Sequence, residues 1–131
     1  MKYSNTSESL KDNRDFQKVY QYGKSAANRT LVLYVYPRAE KMRQLDQMPS
    51  SWKMAGYTKN RVGISVSKKV GNSVVRHRIT RLLRECIRKD DEQITNGKDI
   101  VIIARGMANG RSLEEIDGAV LHLCRLHGIL K

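Results

Sequence analysis

Three short segments of the chain have the hydrophobic pattern of β-strands. In the first, aliphatic side chains alternate with Val32, Tyr34 and Tyr36, so this strand has two distinct sides. In the second, Val and Ile alternate with Gly and Ser. The third is apolar on both sides, which predicts a central place in a sheet. The predicted strands are residues 30–36, 62–67 and 99–104.

Two helices are indicated by the residues at their ends. Asn13 can cap a first helix that runs to Tyr22, and Gly23 would end it in the C′ position. An S-x-x-E capping box starts at Ser112 and opens a last helix, which would end at Gly128. Between the second and third strands, apolar and basic positions repeat at helical spacing from residue 74 onward.

The predicted order is α-β-β-α-β-α, which is typical of an α+β domain with one small sheet. The second strand, the helix after it and the third strand would form a βαβ crossover. Residues 1–9 are polar and are predicted to be disordered, so the domain would cover residues 10–131. Residues 38–60 fit neither pattern and are interpreted as an insertion with a short helix around residues 39–47. A floppy excursion and a functional role are both open for this insertion.

The predicted helix from residue 74 lies in the most basic stretch of the chain. Residues 68–89 hold eight Lys or Arg and one acid, Glu85, and therefore carry +7 of the formal net charge of +12. At ~100° per residue, Arg81, Arg84 and Arg88 share one narrow arc, with His77 beside them. Arg78 lies at the edge of this arc, and the opposite side of the helix is apolar. A solvated surface usually mixes both signs of charge, so this pattern favours a surface that binds nucleic-acid phosphates.

The start of the same helix is a second candidate for phosphate binding. Asn72 or Ser73 can cap it, which leaves backbone N–H groups at its positive end, and Lys68 and Lys69 flank that end.

Other classes of site find little support. Cys86 and Cys124 are far apart and are interpreted as reduced core thiols of a cytosolic protein. The histidines, including His122 and His127, form no metal-binding pattern, and the acids form no recognisable catalytic pair. The acids at positions 90–92 are interpreted as the end of the basic surface. No apolar run approaches the ~20 residues of a membrane helix, and the N-terminus lacks a secretory signal, so we expect a cytoplasmic protein without membrane contact.

The segment RVGISVSKKVGNSVVRHRITRLLRE, residues 61–85, resembles the signature of the bacterial ribonuclease P protein family. In that family, a strand that ends in S-K-K-x-G-N leads into a helix that opens R-N-R-x-x-R-x-x-R. The chain matches these positions except at His77, where the family usually has Asn. Residues 10–36 are similar to the family's opening helix and first strand. The resemblance omits only the extreme N-terminus and residues 38–60.

The resemblance implies a fold with a left-handed βαβ crossover and a role as a subunit of a ribonucleoprotein endonuclease. In this enzyme the RNA hydrolyses precursor tRNA at the 5′ end of the mature sequence, with Mg²⁺ bound mainly by RNA and without an organic cofactor. The protein alone would be inactive, and its partners would be ribonuclease P RNA and precursor tRNA. The residues expected at the catalytic RNA are Lys68, Lys69, Asn72, Arg76, His77, Arg78, Arg81 and Arg84.

The resemblance also implies a cleft for the single-stranded 5′ leader of precursor tRNA, between the first helix and the sheet. Phe16 and Tyr20 are spaced i,i+4 and so share a face of that helix. Such rings can stack on unpaired bases, and packing of the helix against the sheet is the alternative. The residues expected in the cleft are Phe16, Tyr20, Val32, Tyr34 and Ser65.

Two other functions share parts of this pattern. A ribosomal or other structural RNA-binding protein would have the same size and basicity, without a role in processing. A metal-dependent nuclease that acts alone would need a carboxylate cluster, which the sequence does not contain.

Overall fold

The computed structural model describes residues 7–45, 47–50, 52 and 56–131, which form a five-stranded sheet with helices on both faces. The order of the strands in the sheet is β1-β4-β5-β3-β2, with β4 and β5 parallel and β3 antiparallel to β5. The central place predicted for the third apolar strand, here β5, is confirmed. The strands are β1 (Ser7–Ser9), β2 (Lys24–Ala27), β3 (Leu31–Tyr36), β4 (Asn60–Ser65) and β5 (Asp99–Ala104).

Four helices are described, and they divide between the two faces of the sheet. One face packs on α3 and α4 and buries the larger apolar cluster, which includes Leu33, Ile79, Ile102 and Leu123. The other face packs on α1 and on the segment between β3 and β4. The α+β class with one small sheet is therefore confirmed. The helices are α1 (Asn13–Tyr22), α2 (Arg38–Met42), α3 (Ser73–Asp90) and α4 (Leu113–His127), with single 3₁₀ turns at Asp91–Gln93 and Gly106–Ala108.

The helix ends agree with the sequence pattern except at the start of α1 and in the role of Gly23. The predicted cap at Asn13 is wrong, because Asp12 caps α1 by accepting a hydrogen bond from the Arg14 N–H at 2.8 Å. Asn72 caps α3 by accepting a hydrogen bond from the Val75 N–H, and the capping box at Ser112 is complete. Gly128 ends α4 in the left-handed conformation, with a φ of 69°. Gly23, by contrast, has a φ of −78° and is extended. A Cβ atom there would lie 2.5 Å from the Val19 carbonyl oxygen, so close approach rather than a left-handed turn explains this glycine.

The predicted disorder of residues 1–9 is wrong for Ser7–Ser9, which form β1 parallel to β4. Residues 1–6 lie outside the described part of the chain. Ser7–Ser9 form a strand because β4 would otherwise be an edge of the sheet with unpaired backbone groups, and even a polar segment can pair with these groups. The Ser7 hydroxyl also donates to Asp91, and Leu10 is buried just after the strand. The sequence analysis missed β2 as well, which pairs antiparallel with β3 at the other edge.

The insertion between β3 and β4 is packed rather than floppy in the residues that the structure describes. Its helix, α2, ends at Met42 and is shorter than predicted, although position 46 of the predicted range lies outside the described residues. Arg38, Met42 and Trp52 are all buried, with exposed fractions of 0%, 5% and 0%. Met42 and Trp52 belong to the apolar cluster under α1.

Candidate nucleic-acid interface

The basic side of α3 is exposed, as its sequence pattern predicts. His77, Arg81, Arg84 and Arg88 all face solvent, and we call them the basic face. Arg88 pairs with Glu85, whereas Arg81 and Arg84 make no ion pair with a residue that the structure describes. Exposed guanidinium groups without a carboxylate partner are available for phosphate, which they bind in a bidentate manner. The opposite side of α3 is buried through Ile79, Leu83, Cys86 and Ile87.

The remaining residues expected at the catalytic RNA lie around the start of α3, with different exposure. Lys68 and Lys69 are exposed in the loop before the helix, and Asn72 is exposed at its cap. Arg78 is half-buried and donates to the Arg111 carbonyl oxygen at 2.9 Å, which ties α3 to the loop before α4. Arg76 is half-buried too, and its Nε is buried without a hydrogen-bond partner among the described residues.

The aromatic residues expected in the cleft meet on the opposite face of the sheet. Phe16 and Tyr20 of α1 lie with ring centroids 6.3 Å apart, and the Tyr20 ring meets Tyr34 of β3 edge-on at 5.2 Å. Burial is the largest cause that raises the pKa of Tyr20, and the neighbouring Tyr34 raises this pKa further. A hydrogen bond with Ser65 acts in the opposite direction. The Tyr20 phenol is therefore neutral at neutral pH. All five residues are half-buried, and we call them the aromatic patch: Phe16, Tyr20, Val32, Tyr34 and Ser65.

The register of the sheet arranges this face in three rows across β4, β5 and β3. The first row is Arg61, Asp99 and Tyr36, and it is buried. The second row is Gly63, Val101 and Tyr34, with Phe16 above Gly63. The third row is Ser65, Ile103 and Val32, and all three of its residues are partly exposed. Exposure therefore increases from the insertion towards the carboxyl end of β4, and the aromatic patch occupies the more open rows.

Sequence reasoning missed a buried ionic network in the first row. Both carboxylate oxygens of Asp99 accept from Arg61, at 2.9 Å from Nε and 2.6 Å from Nη2, and Arg61 Nη1 donates to Asp15 at 3.0 Å. Arg38 binds Asp99 as well. One signal was available, because Asp15 precedes Val19 by four residues and so shares its buried side of α1. We call these four residues the Asp99 network: Asp15, Arg38, Arg61 and Asp99.

The acids and thiols near the end of α3 are buried rather than exposed. Asp90 and Asp91 are 1% and 2% exposed, whereas Glu92 is exposed. The interpretation that the three acids mark the end of the basic surface is therefore wrong for Asp90 and Asp91. Cys86 and Cys124 are free and buried, as expected of core thiols, and burial raises the pKa of each to about 12. Neither thiol is therefore a nucleophile at neutral pH.

Two further absences concern only the described residues. Within the ranges given above, no three His, Cys, Asp or Glu side chains are grouped so that they could hold a metal ion. Of the helices in the same ranges, none combines the length and the hydropathy that crossing a bilayer requires. His122 lies near the Asn28 side chain and His127 lies 2.8 Å from the Leu33 carbonyl oxygen, which are structural contacts.

Comparisons with known proteins agree with the resemblance in the motif. The family model described as Ribonuclease P matches residues 5–127. A ribonuclease P protein component from Lachnoclostridium phytofermentans is 47% identical over 124 residues, which cover 95% of this chain and 92% of that protein. The RNase P protein of Staphylococcus aureus superposes with a TM-score of 0.72 at 33% identity, over 93% of this chain and 96% of that one. For the RNase P protein of Thermotoga maritima the TM-score is 0.69 at 25% identity, over 89% and 96%. The chain belongs to the ribonuclease P protein family, whose members are protein subunits of the tRNA-processing endonuclease of that name.

Proposed function

We propose that the chain binds two RNAs at once, the catalytic RNA of ribonuclease P and the 5′ leader of precursor tRNA. The observation that carries this proposal is the separation of two RNA-compatible surfaces by one sheet. The basic face belongs to α3, which packs on one side of the sheet, and the aromatic patch lies on the other side with α1. A single molecule can therefore contact both RNAs without competition between them.

The chemistry of each surface suits one kind of RNA. The basic face and Lys68 and Lys69 offer charge to the phosphates of a folded RNA, whose binding then depends on salt. His77 can replace an Asn amide through a ring nitrogen, although its donor depends on the tautomer. The aromatic patch offers rings and a hydroxyl to unpaired bases, and stacking contributes ~1–3 kcal/mol per base with little demand on sequence.

In this proposal the RNA hydrolyses the phosphodiester bond with Mg²⁺, in the cytoplasm, and the protein supplies affinity. Cleavage requires two polyanions to approach each other, and a chain with a net charge of +12 offsets part of their repulsion. Of the buried carboxylates that the structure describes, Asp15 and Asp99 are each paired with Arg61.

A processing assay with and without a bacterial ribonuclease P RNA tests the proposal. The purified protein should not cleave precursor tRNA at any Mg²⁺ concentration, and together with the RNA it should allow 5′ cleavage at low Mg²⁺ and moderate salt. Specific 5′ cleavage by RNA-free protein would contradict catalysis by RNA. Binding without any stimulation of cleavage would instead favour a ribosomal or other structural RNA-binding protein.

A further inference from the structure

The Asp99 network joins four parts of the molecule through buried ion pairs. Asp15 of α1 binds Arg61 of β4, and Arg61 and Arg38, which lies in the insertion, both bind Asp99 of β5. Their exposed fractions are 5%, 4%, 0% and 1%, in that order. Arg38 also donates to the carbonyl oxygens of residues 98, 56 and 59, which closes both ends of the insertion onto the sheet.

The network is electrically balanced, with two guanidinium groups and two carboxylates. Burial alone would lower the pKa of Arg61, but its hydrogen bonds and charge interactions with Asp99 and Asp15 outweigh burial and raise it. Removal of one partner leaves an uncompensated buried charge, which proteins tolerate poorly. The pairing of Asp15 with Arg61 therefore fixes the position of α1 more narrowly than apolar contact would.

The position of Asp15 sets the position of the rings. Asp15 immediately precedes Phe16, and Tyr20 follows five residues later on the same helix. Arg61 lies two residues before Gly63 on the same side of β4, and the Phe16 ring rests on Gly63. Arg61, which binds Asp15, and Gly63, which contacts the Phe16 ring, therefore lie in adjacent rows on one face of the sheet.

The insertion holds the other flank of α1. Trp52 is fully buried, its ring is tilted against Tyr36 with centroids 6.0 Å apart, and the Lys18 ammonium of α1 lies 4.7 Å from the Trp52 ring centroid. Together with Arg38, this contact links the insertion to the helix that carries Phe16 and Tyr20.

We propose that the Asp99 network is a positioning device, which holds α1 over the sheet at the spacing that lets the aromatic patch take up unpaired bases. Asp15, Arg61 and Arg38 are positioning residues for the leader and do not contact it. The insertion thereby contributes to recognition of the leader from the interior of the protein. This inference rests on the proposed function of the aromatic patch.

The test uses the protein assembled with ribonuclease P RNA and compares binding of precursor and mature tRNA. Asp15→Ala should reduce the preference for precursor tRNA roughly fivefold or more, which corresponds to loss of one stacked base. Affinity for the catalytic RNA should not change. Asp15→Asn keeps the shape of the side chain but not its charge, and it should also reduce the preference for precursor tRNA. This variant replaces Asp15→Ala in the test if the Ala variant does not fold. In a Tyr20→Ala background, Asp15→Ala should have little further effect, because it acts through the ring.

Asp12→Ala is the matched control, since it removes an exposed acid and the N-cap of the same helix but leaves the network intact. If Asp12→Ala lowered the preference as much as Asp15→Ala at an equal loss of melting temperature, a merely structural role would explain the data and the inference would fail. An unchanged preference in both Asp15 variants would also overturn it, provided that Tyr20→Ala and Tyr34→Ala reduce the preference. If those ring variants had no effect either, the aromatic patch itself would not bind the leader.

Discussion

At the scale of single residues, a glycine in β4 gives the Phe16 ring its place. A Cβ atom at Gly63 would lie 2.4 Å from Phe16 Cζ, which is closer than real contacts allow. The ring therefore lies directly against the strand backbone, while Tyr20 and Tyr34 meet beside it. Phe16 is partly a packing residue for this reason, and Tyr34 is the cleaner probe of RNA binding.

Replacing Tyr34 by Ala should weaken binding of precursor tRNA more than binding of mature tRNA, which has no leader. The expected cost is about 1 kcal/mol or more, the value of one stacked ring, and Tyr34→Phe should retain most of the affinity because stacking needs only the ring. Titration of both tRNAs against the assembled enzyme measures the difference.

Tyr22→Ala is the control for this comparison. Tyr22 is a tyrosine at the end of α1 that is 65% exposed and lies outside the aromatic patch. Equal losses for precursor and mature tRNA in Tyr34→Ala, together with a large drop in melting temperature, would show that the ring serves packing alone.

The sequence could identify the aromatic patch but not the network that supports it. The spacing of Phe16 and Tyr20 follows from helical geometry alone, whereas the partners Asp15, Arg61 and Asp99 are 46 and 38 residues apart along the chain. Their contact depends on which strands are neighbours and in what register. Neither the strand order nor the register can be read from the local sequence. The three charged residues are far apart along the chain and therefore form no recognisable pattern.

At the scale of elements, α3 and α4 meet through a pair of buried acids. Burial raises the pKa of Asp90 to about 7, and its hydrogen bond with Asp117 adds to the rise. Neither carboxylate oxygen of Asp90 has a donor of its own among the described residues, so Asp90 bonds to Asp117 only when it carries a proton. Lys89 donates to Asp117 at 3.0 Å and favours its charged form. Cys86 and Cys124 lie beside this pair, and after burial the two acids are the next causes that raise the pKa of each thiol.

The free energy of unfolding should therefore fall as pH rises from about 4 to about 7. In this window the folded state keeps the Asp90 proton, while the unfolded chain, with an ordinary pKa of 3.8, has released it. The folded state thus binds more protons than the unfolded state, and stability decreases with pH. Asp90→Asn has a permanent donor and does not titrate, so its melting temperature should fall less between pH 5 and pH 8.

Glu92→Gln provides the comparison for the Asp90 variant, because it removes a nearby acid that is exposed. It should keep the pH dependence of the unchanged protein. If the melting temperatures of Asp90→Asn and of the unchanged protein fell equally between pH 5 and pH 8, Asp90 and Asp117 would not share a proton.

The elements that the sequence predicted well are those with strong local signals. Residues 100–104 are apolar throughout, α3 has a cap and a two-sided pattern, and α4 has a capping box and a terminal glycine. The missed strands, β1 and β2, are three and four residues long and mostly polar or small. They are held by backbone pairing with β4 and β3, which already exist as templates, so their own side chains need no strand pattern.

At the scale of the whole molecule, the position of the charge matters more than its total. The chain carries +12, and a charge of this size attracts RNA wherever it is placed. The basic face concentrates part of it on one helix, whose other side is fixed to the core through Ile79 and Leu83. A contact surface held rigidly in this way should bind phosphates at defined positions, and a diffuse cloud of charge should not.

Changing Arg81 and Arg84 together to Ala distinguishes these two cases. Both side chains are exposed, so the fold should persist, and affinity for the catalytic RNA should fall. Each lost phosphate contact makes the log–log salt dependence of binding shallower by ~0.7–0.9, so the double variant should be shallower by roughly one to two units. A second double variant, Arg125→Ala with Lys131→Ala, removes the same charge from exposed positions near the end of the chain. If net charge alone drove binding, both variants would lose affinity and slope equally. If α3 is the interface, only the first should do so, while both keep the circular dichroism of the unchanged protein.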